Sequence, residues 1–332
     1  MKFPFSIGLA AFCIALAPAA FGACTITKIA ELSVIDNGNR PIIEGRINGQ
    51  PVKVLIDTGA TSTLIFEATA KRLDLKLESP NGLRMFGVGG EARTAATQLD
   101  SLEMGMFAGK NVRIAVVNRR SGAREDNFDV LLGVDLLSRF SLELDLANHV
   151  VRFLRPEGCV PEQVVYWAKS YSVAELDRDH DNMSIATTVT LGKIRTAAIL
   201  DSGAPTSVVT RDAARRAGVS NSGNGTEDLQ SETGLNGSLI DTWVGAFDIF
   251  SIGDDETIHN VKLRVGDFFG AAAREETGSH IRKSVDMPSV LLGHDFLMAH
   301  RVVVLFKEHK LLLTYNGGAV FRTRAVTASA AP

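Results

Sequence analysis

Cysteine, tryptophan and tyrosine are scarce in this chain: three, two and three among 332 residues. So few cysteines cannot make a disulfide scaffold. None stands in a Cys-x-x-Cys pair, and the seven histidines contain no His-Glu-x-x-His, so no zinc site and no other metal or cofactor is expected. Excess charge is also missing. With 35 basic and 38 acidic residues the net charge is -3, and runs such as Arg119-Arg120 are short and lie among acidic residues. That balance argues against a nucleic-acid partner. There is no Gly-x-Ser-x-Gly and no phosphate-binding glycine loop ahead of a helix, so the serine-hydrolase and nucleotide motifs are absent. Beyond the N-terminus no apolar stretch is long enough to span a bilayer.

The N-terminus itself has the pattern of an export signal over residues 1–23. Lys2 provides the positive end, Phe3 to Ala20 the apolar stretch, and Ala20, Gly22 and Ala23 the small residues of a cleavage site. A retained membrane anchor is the other reading, weakened by the shortness of the stretch and by Pro4 and Pro18. Export predicts a periplasmic or extracellular protein. Cys13 would leave with the signal, and Cys24 and Cys159 then bracket the first half of the chain. In an oxidising compartment they invite a disulfide. Two alternatives stand beside it: Phe21-Gly22-Ala23-Cys24 as an imperfect lipoprotein box with a lipid anchor on Cys24, or two buried free thiols.

What the chain does have, it has twice. VLIDTGATSTLI (Val54 to Ile65) returns as AILDSGAPTSVV (Ala198 to Val209), and VLLGVDLL (Val130 to Leu137) as VLLGHDFL (Val290 to Leu297). Between them LDSLEMG (Leu99 to Gly105) matches FDIFSIG (Phe247 to Gly253). After them LELDLANHVVRFL (Leu142 to Leu154) aligns with VVVLFKEHKLLLT (Val302 to Thr314). Four correspondences in one order indicate an internal duplication. Its repeated chemical group is one carboxylate, Asp57 in the first copy and Asp201 in the second.

Each copy is composed of short strands and turns. Pro41 to Asn48 and Val52 to Ile56 form a hairpin around Gly49-Gln50, and Ser184 to Leu191 with Thr196 to Leu200 repeat it around Gly192-Lys193. Helix signals are confined to Phe66 to Leu73, Arg211 to Ala217, a turn at Asp135 to Ser138, and a short helix within Val164 to Tyr171. A mostly β protein is expected, with lobes at 24–155 and 184–325 and a disordered tail at 326–332. The polar stretch 156–183 has no evident partner in either repeat and is the interlobe linker. Asp267 to Pro288 is an enlarged loop, about twice its counterpart Asn118 to Asp129. His294, His149 and His309 are most simply surface residues, the last two at one repeat position in a hairpin turn.

Asp57-Thr58-Gly59-Ala60 and Asp201-Ser202-Gly203-Ala204, with Leu131-Leu132-Gly133 and Leu291-Leu292-Gly293, resemble the aspartic proteases of the pepsin and retropepsin clan. The resemblance covers about residues 42 to 154 and 184 to 315, and each copy looks more like a retropepsin lobe than a pepsin lobe. It implies two pseudo-symmetric retropepsin-like lobes with a cleft between them, here fused so that a monomer holds both aspartates. It also implies an aspartic endopeptidase acting on a peptide or protein substrate. Thr58 and Ser202 would brace the two loops across the axis, and the chain ends near Cys24 and Cys159 would lie by the interlobe sheet. Gly87-Val88-Gly89-Gly90 and Gly234-Leu235-Asn236-Gly237 are candidate flaps over substrate, or else ordinary surface hairpins. Neither region holds a tyrosine, unlike the pepsin pattern, and Pro205 has no match in the first copy.

The chemistry fits the residue types. Two carboxylates within hydrogen-bonding distance cannot both ionise cheaply, so the pair shares a proton over a broad acidic range. One carboxylate then activates water while the other donates to the carbonyl oxygen, with no covalent intermediate. Gly59 and Gly203 let each loop approach the other without a Cβ. A lone Asp at a strand end is more often a turn former, but two at equivalent places reverse that balance. A silent peptide-binding module on the same fold is the alternative from a different class, and a processing protease of narrow range is a third reading.

Overall fold

The computed structural model describes residues 23–35, 40–78, 84–87, 90–118, 127–177, 185–221, 227–228, 232–233, 239–268, 274–276, 282–284 and 288–323. Strand formation follows the alternation in the sequence. In Gln50–Ile56, Val52, Val54 and Ile56 point into a barrel while Lys53 is exposed. The barrel closes in the order Ile42–Ile47, Gln50–Ile56, Val130–Leu132, Leu64–Phe66, Phe107–Val117, Gly90–Met104 and back to Ile42–Ile47.

The second barrel repeats that order: Ala186–Leu191, Ile194–Leu200, Val290–Leu292, Val208–Val209, Glu256–Val265, Trp243–Ile252 and back to Ala186–Leu191. The protein is thus mostly β, with two pseudo-symmetric retropepsin-like lobes. The helices are also paired. Glu67–Arg72 matches Arg211–Arg216, each with an acidic residue in its first turn and basic residues in its last. Only the second has a side-chain cap, Thr210 Oγ1 accepting from the Ala213 N–H.

A six-stranded sheet joins the lobes, in the order Thr25–Ser33, Val150–Glu157, Ser141–Asp145, His300–Leu305, Lys310–Tyr315, Ser172–Glu175. Its seam is the antiparallel pairing of Leu142 with Val304 and Leu144 with Val302. One contiguous core runs from the first barrel through this seam into the second. The linker reading needs one correction here. Ser172–Glu175 pairs with Lys310–Tyr315 at one edge as Thr25–Ser33 pairs with Val150–Glu157 at the other, so the stretch thought to lack a partner supplies a repeated strand. Its alternation is too short to register in sequence. The short helix lies at Pro161–Val164, just before the expected position.

Buried charge crosses the seam. Glu143, fully buried, accepts from Arg152 of its own lobe at 2.6 Å, from Arg301 of the other at 2.7 Å, and from the Tyr166 hydroxyl at 2.9 Å. The Arg301 guanidinium lies 4.1 Å from the Trp167 ring centroid. Removing both arginines would leave the Glu143 charge buried without a counter-ion, which costs about 3–5 kcal/mol.

Cys24 and Cys159 form a disulfide that spans 135 residues, next to the first pairings of the outer strands. The bond occupies the thiol that a lipid anchor at Cys24 would need, so neither the lipoprotein box nor the free-thiol reading describes this state. Loop closure of that length contributes about 3–5 kcal/mol, chiefly through the unfolded chain. Cys24→Ser with Cys159→Ser is expected to lower the urea midpoint by a corresponding amount, and an unchanged midpoint would show that the strand pairing holds these ends unaided.

Candidate active site

The two signatures of each copy are spatial neighbours. Val54–Ile56 runs parallel to Val130–Leu132, and Ala198–Leu200 runs parallel to Val290–Leu292. The Asp57 N–H donates to the Leu132 carbonyl at 3.0 Å and the Asp201 N–H to the Leu292 carbonyl at 2.8 Å. Each aspartate then caps its own turn. Asp57 Oδ1 accepts from the Gly59 and Ala60 N–H groups at 3.0 and 3.1 Å, and Asp201 Oδ1 from Gly203 and Ala204 at 2.9 and 3.0 Å.

The turns meet across the pseudo-two-fold axis. Thr58 Oγ1 donates to the Leu200 carbonyl at 2.7 Å and accepts from the Ser202 N–H at 2.9 Å. Reciprocally, Ser202 Oγ donates to the Ile56 carbonyl at 2.6 Å and accepts from the Thr58 N–H at 3.1 Å. Both side chains are fully buried, so every polar group in this brace is satisfied by the opposite lobe. A Cβ on Gly59 would lie 2.5 Å from Asp201 Oδ2, and one on Gly203 would lie 2.5 Å from Asp57 Cγ. These glycines touch the opposite carboxylate.

Asp57 is buried and Asp201 half-buried. Burial pushes Asp57 well above the usual carboxylate range, and the neighbouring Asp201 charge pushes it further. Burial also raises Asp201, against the N–H donors of its turn and the hydrogen bond it receives from Asp57. The pair therefore keeps a proton beyond the pH at which separate aspartates would lose theirs, and it titrates as a unit. Arg40, its guanidinium 6.0 Å from the Phe128 ring centroid, pulls both carboxyls the opposite way.

Sequence reasoning missed Arg40, which lies outside every motif. It also missed a second tier. Asp135 Oδ1 accepts from the Thr63 N–H and hydroxyl at 2.8 and 2.7 Å, and Thr63 Oγ1 accepts from the Gly133 N–H at 3.0 Å. Asp295, Ser207 and Gly293 repeat these contacts at 2.8, 2.6 and 2.9 Å. The signal was present: both copies carry Leu-Leu-Gly-x-Asp, and both carry a hydroxyl residue six places after the first Asp. His294 is a correction. It is 2% exposed rather than on the surface, because the helix His294–Ala299 packs beneath the second loop and its first N–H donates to the Ala204 carbonyl. His149 and His309 do occupy equivalent turns, with φ of 58° and 53°. Pro205 leaves the contact pattern intact, since the Val134 N–H to Ala60 bond matches the His294 N–H to Ala204 bond at 2.8 Å.

Of the expected flaps, Gly87 and Gly90 pair at the end of a hairpin made by Arg84–Gly87 and Gly90–Met104. Val88 and Gly89 lie outside the described residues, as do Gly234, Leu235, Asn236 and Gly237. The strands flanking the latter four, Glu232–Thr233 and Leu239–Ile240, pair as a hairpin. A groove of about 690 Å³ on the first barrel, lined by Glu44, Arg72 and Asp129 among others, includes no residue of either aspartate turn.

The sequence profile of the family described as Aspartyl protease matches residues 43–136 and again residues 187–296. The chain belongs to the aspartyl protease family. The two matched regions each contain one Asp-Thr/Ser-Gly turn and one Leu-Leu-Gly signature, so the family unit occurs twice in this chain. Over 121 residues it is 31% identical to DNA damage-inducible protein 1 of Candida glabrata, an alignment covering 35% of this chain and 26% of that relative.

Proposed function

We propose that this aspartyl protease is an active, exported aspartic endopeptidase whose general acid and base are Asp57 and Asp201. One observation carries the reading: two carboxyls from equivalent loops, each capped by its own turn, lie against the opposite glycine in surroundings that retain a proton. In this mechanism the ionised carboxylate takes a proton from a water, and the resulting hydroxide attacks the peptide carbonyl carbon. The protonated carboxyl gives its proton to the carbonyl oxygen. As the tetrahedral intermediate collapses, the carboxyl that took the water proton gives it to the leaving amine, and the other carboxylate recovers a proton from a gem-diol hydroxyl, which restores the pair. Thr58, Gly59, Ser202 and Gly203 hold the geometry. Arg40 stands seventeen residues before Asp57, where the sequence of the second copy has Ser184 before Asp201, and this one-sided charge supports a preferred substrate direction.

Export is supported by Lys2 and the apolar stretch Phe3 to Ala20, together with the Cys24–Cys159 bond. Among the described residues no helix is long and apolar enough to cross a membrane. Both aspartates come from one chain, so a monomer is the proposed active unit. The deciding experiment is a peptide-library cleavage assay across pH, with and without chelator and over a dilution series. Cleavage is expected on the acid side, fading at alkaline pH where both aspartates ionise, unaffected by chelator and constant per chain on dilution. Binding of peptides without cleavage at any pH would establish the silent module instead.

A further inference from the structure

The duplication places Asp135 and Asp295 at one position, yet Asp135 is exposed and Asp295 only 2% exposed. The cause is the chain that follows the last strand, Lys310–Tyr315. Gly317 and Gly318 take φ of 107° and 86°, a left-handed pair that turns the chain back over the second barrel. The Tyr315 hydroxyl donates to the Gly318 carbonyl at 2.6 Å and fixes that turn. Phe321 then inserts beside Phe250 and Phe296, with centroids 5.0 and 6.2 Å away. The Arg322 N–H donates to Asp295 Oδ2 at 3.0 Å, and the Thr323 carbonyl accepts from the buried Arg264 at 3.4 Å.

Asp295 is therefore held from two sides. Its Oδ1 accepts from the Ser207 N–H, the Ser207 hydroxyl and the Phe296 N–H, and its Oδ2 from the strap. Ser207 closes the loop that begins at Asp201, and its hydroxyl also receives the Gly293 N–H. A strap that fixes the far oxygen of Asp295 orients the near one, and through Ser207 it sets the position of the Asp201 turn.

We propose that residues 316–323 are a positioning strap for the second half-site, acting through the Arg322 N–H, Asp295 and Ser207; the inference rests on the peptidase reading above. First-half Asp135 holds Thr63 from an exposed position, so this strap bears directly on the second aspartate turn and reaches the first only through the Thr58 and Ser202 brace.

The donor is a backbone group, which permits a clean contrast in the full-length protein. Arg322→Pro removes the N–H, whereas Arg322→Ala keeps it. Arg322→Pro is expected to lower kcat about tenfold, the scale of one hydrogen bond to a buried carboxylate, with KM within about twofold. Exchange of the Ser207 amide hydrogen should accelerate by a similar factor, and Arg322→Ala should match the parent in all three. Should Arg322→Pro fail to fold, Phe321→Ala, which keeps every backbone donor but loosens the strap, should show the same pattern in weaker form. Equal kcat and equal Ser207 exchange in the Pro and Ala variants, or in Phe321→Ala and the parent, would overturn the strap. If the parent cleaves no peptide, the peptidase reading falls, and the exchange contrast alone decides whether the strap holds Ser207.

Discussion

Replacing Asp57 or Asp201 by asparagine is expected to lower kcat by about a hundredfold to ten-thousandfold, the range carried by a positioned acid or base. Asp57→Asn is also expected to be more stable than the parent near neutral pH. The two effects share one cause. Burial and the facing carboxyl raise Asp57 above its unfolded value, so over the window between those values the folded state binds more protons than the unfolded state. Stability then falls as pH rises from the ordinary carboxylate range through the raised value. Asparagine carries no charge and escapes that loss. The gain should be present at pH 7 and should vanish in acid, where the parent's aspartate is protonated in both states. Steady-state kinetics with urea melts at both pH values tests the pair of effects. A folded Asp201→Asn protein with near-parental turnover would eliminate the shared-proton mechanism.

The second large effect is expected from a single methyl group. Gly59→Ala and Gly203→Ala each place a Cβ against the carboxyl of the other lobe. That contact is too close for a rotamer change to relieve, because the carboxyls are held by N–H groups of their own turns. Relief requires the loops to separate, which stretches the Thr58 and Ser202 brace in a fully buried setting. Displacing a reacting group by about 1 Å can cost on the order of a hundredfold in rate, and overpacking of this kind costs about 1–3 kcal/mol in stability. Both losses are expected in each alanine variant. Parental activity in Gly59→Ala, with the fold intact, would mean that the two carboxyls are not face to face in solution.

The legibility of the molecule in its sequence depended on repetition. Asp57 and Asp201, their glycines and the Leu-Leu-Gly strands announced themselves because each apolar run and turn occurs twice in the same order. The hairpin around Gly49-Gln50 and its copy around Gly192-Lys193 were legible because turn residues stand between alternating runs, and both hairpins are present. Features without a repeated sequence signature were not legible. Arg40 acts on the dyad through space from outside any motif. Ser172–Glu175 is four residues long and reads as a strand only when the edge of the interlobe sheet awaits it. His294 was placed on the surface because Val134 at the same position gave no hint of how deeply the longer helix, His294–Ala299, would sit. Asp135 and Asp295 were repeated and visible, but a carboxylate serving a neighbouring loop looks like any acidic helix start until the contacts to Thr63 and Ser207 are seen.

The six-stranded sheet has a consequence for heredity. When one folding unit must pair with an identical copy, every substitution is written into both walls of the cleft and no wall can adapt by itself. Fusing the units along the seam of Leu142 with Val304 lets a mutation alter one wall and leave the other untouched. Pro205, Arg40 and the chain segment over Asp295 are differences of that kind, each present once.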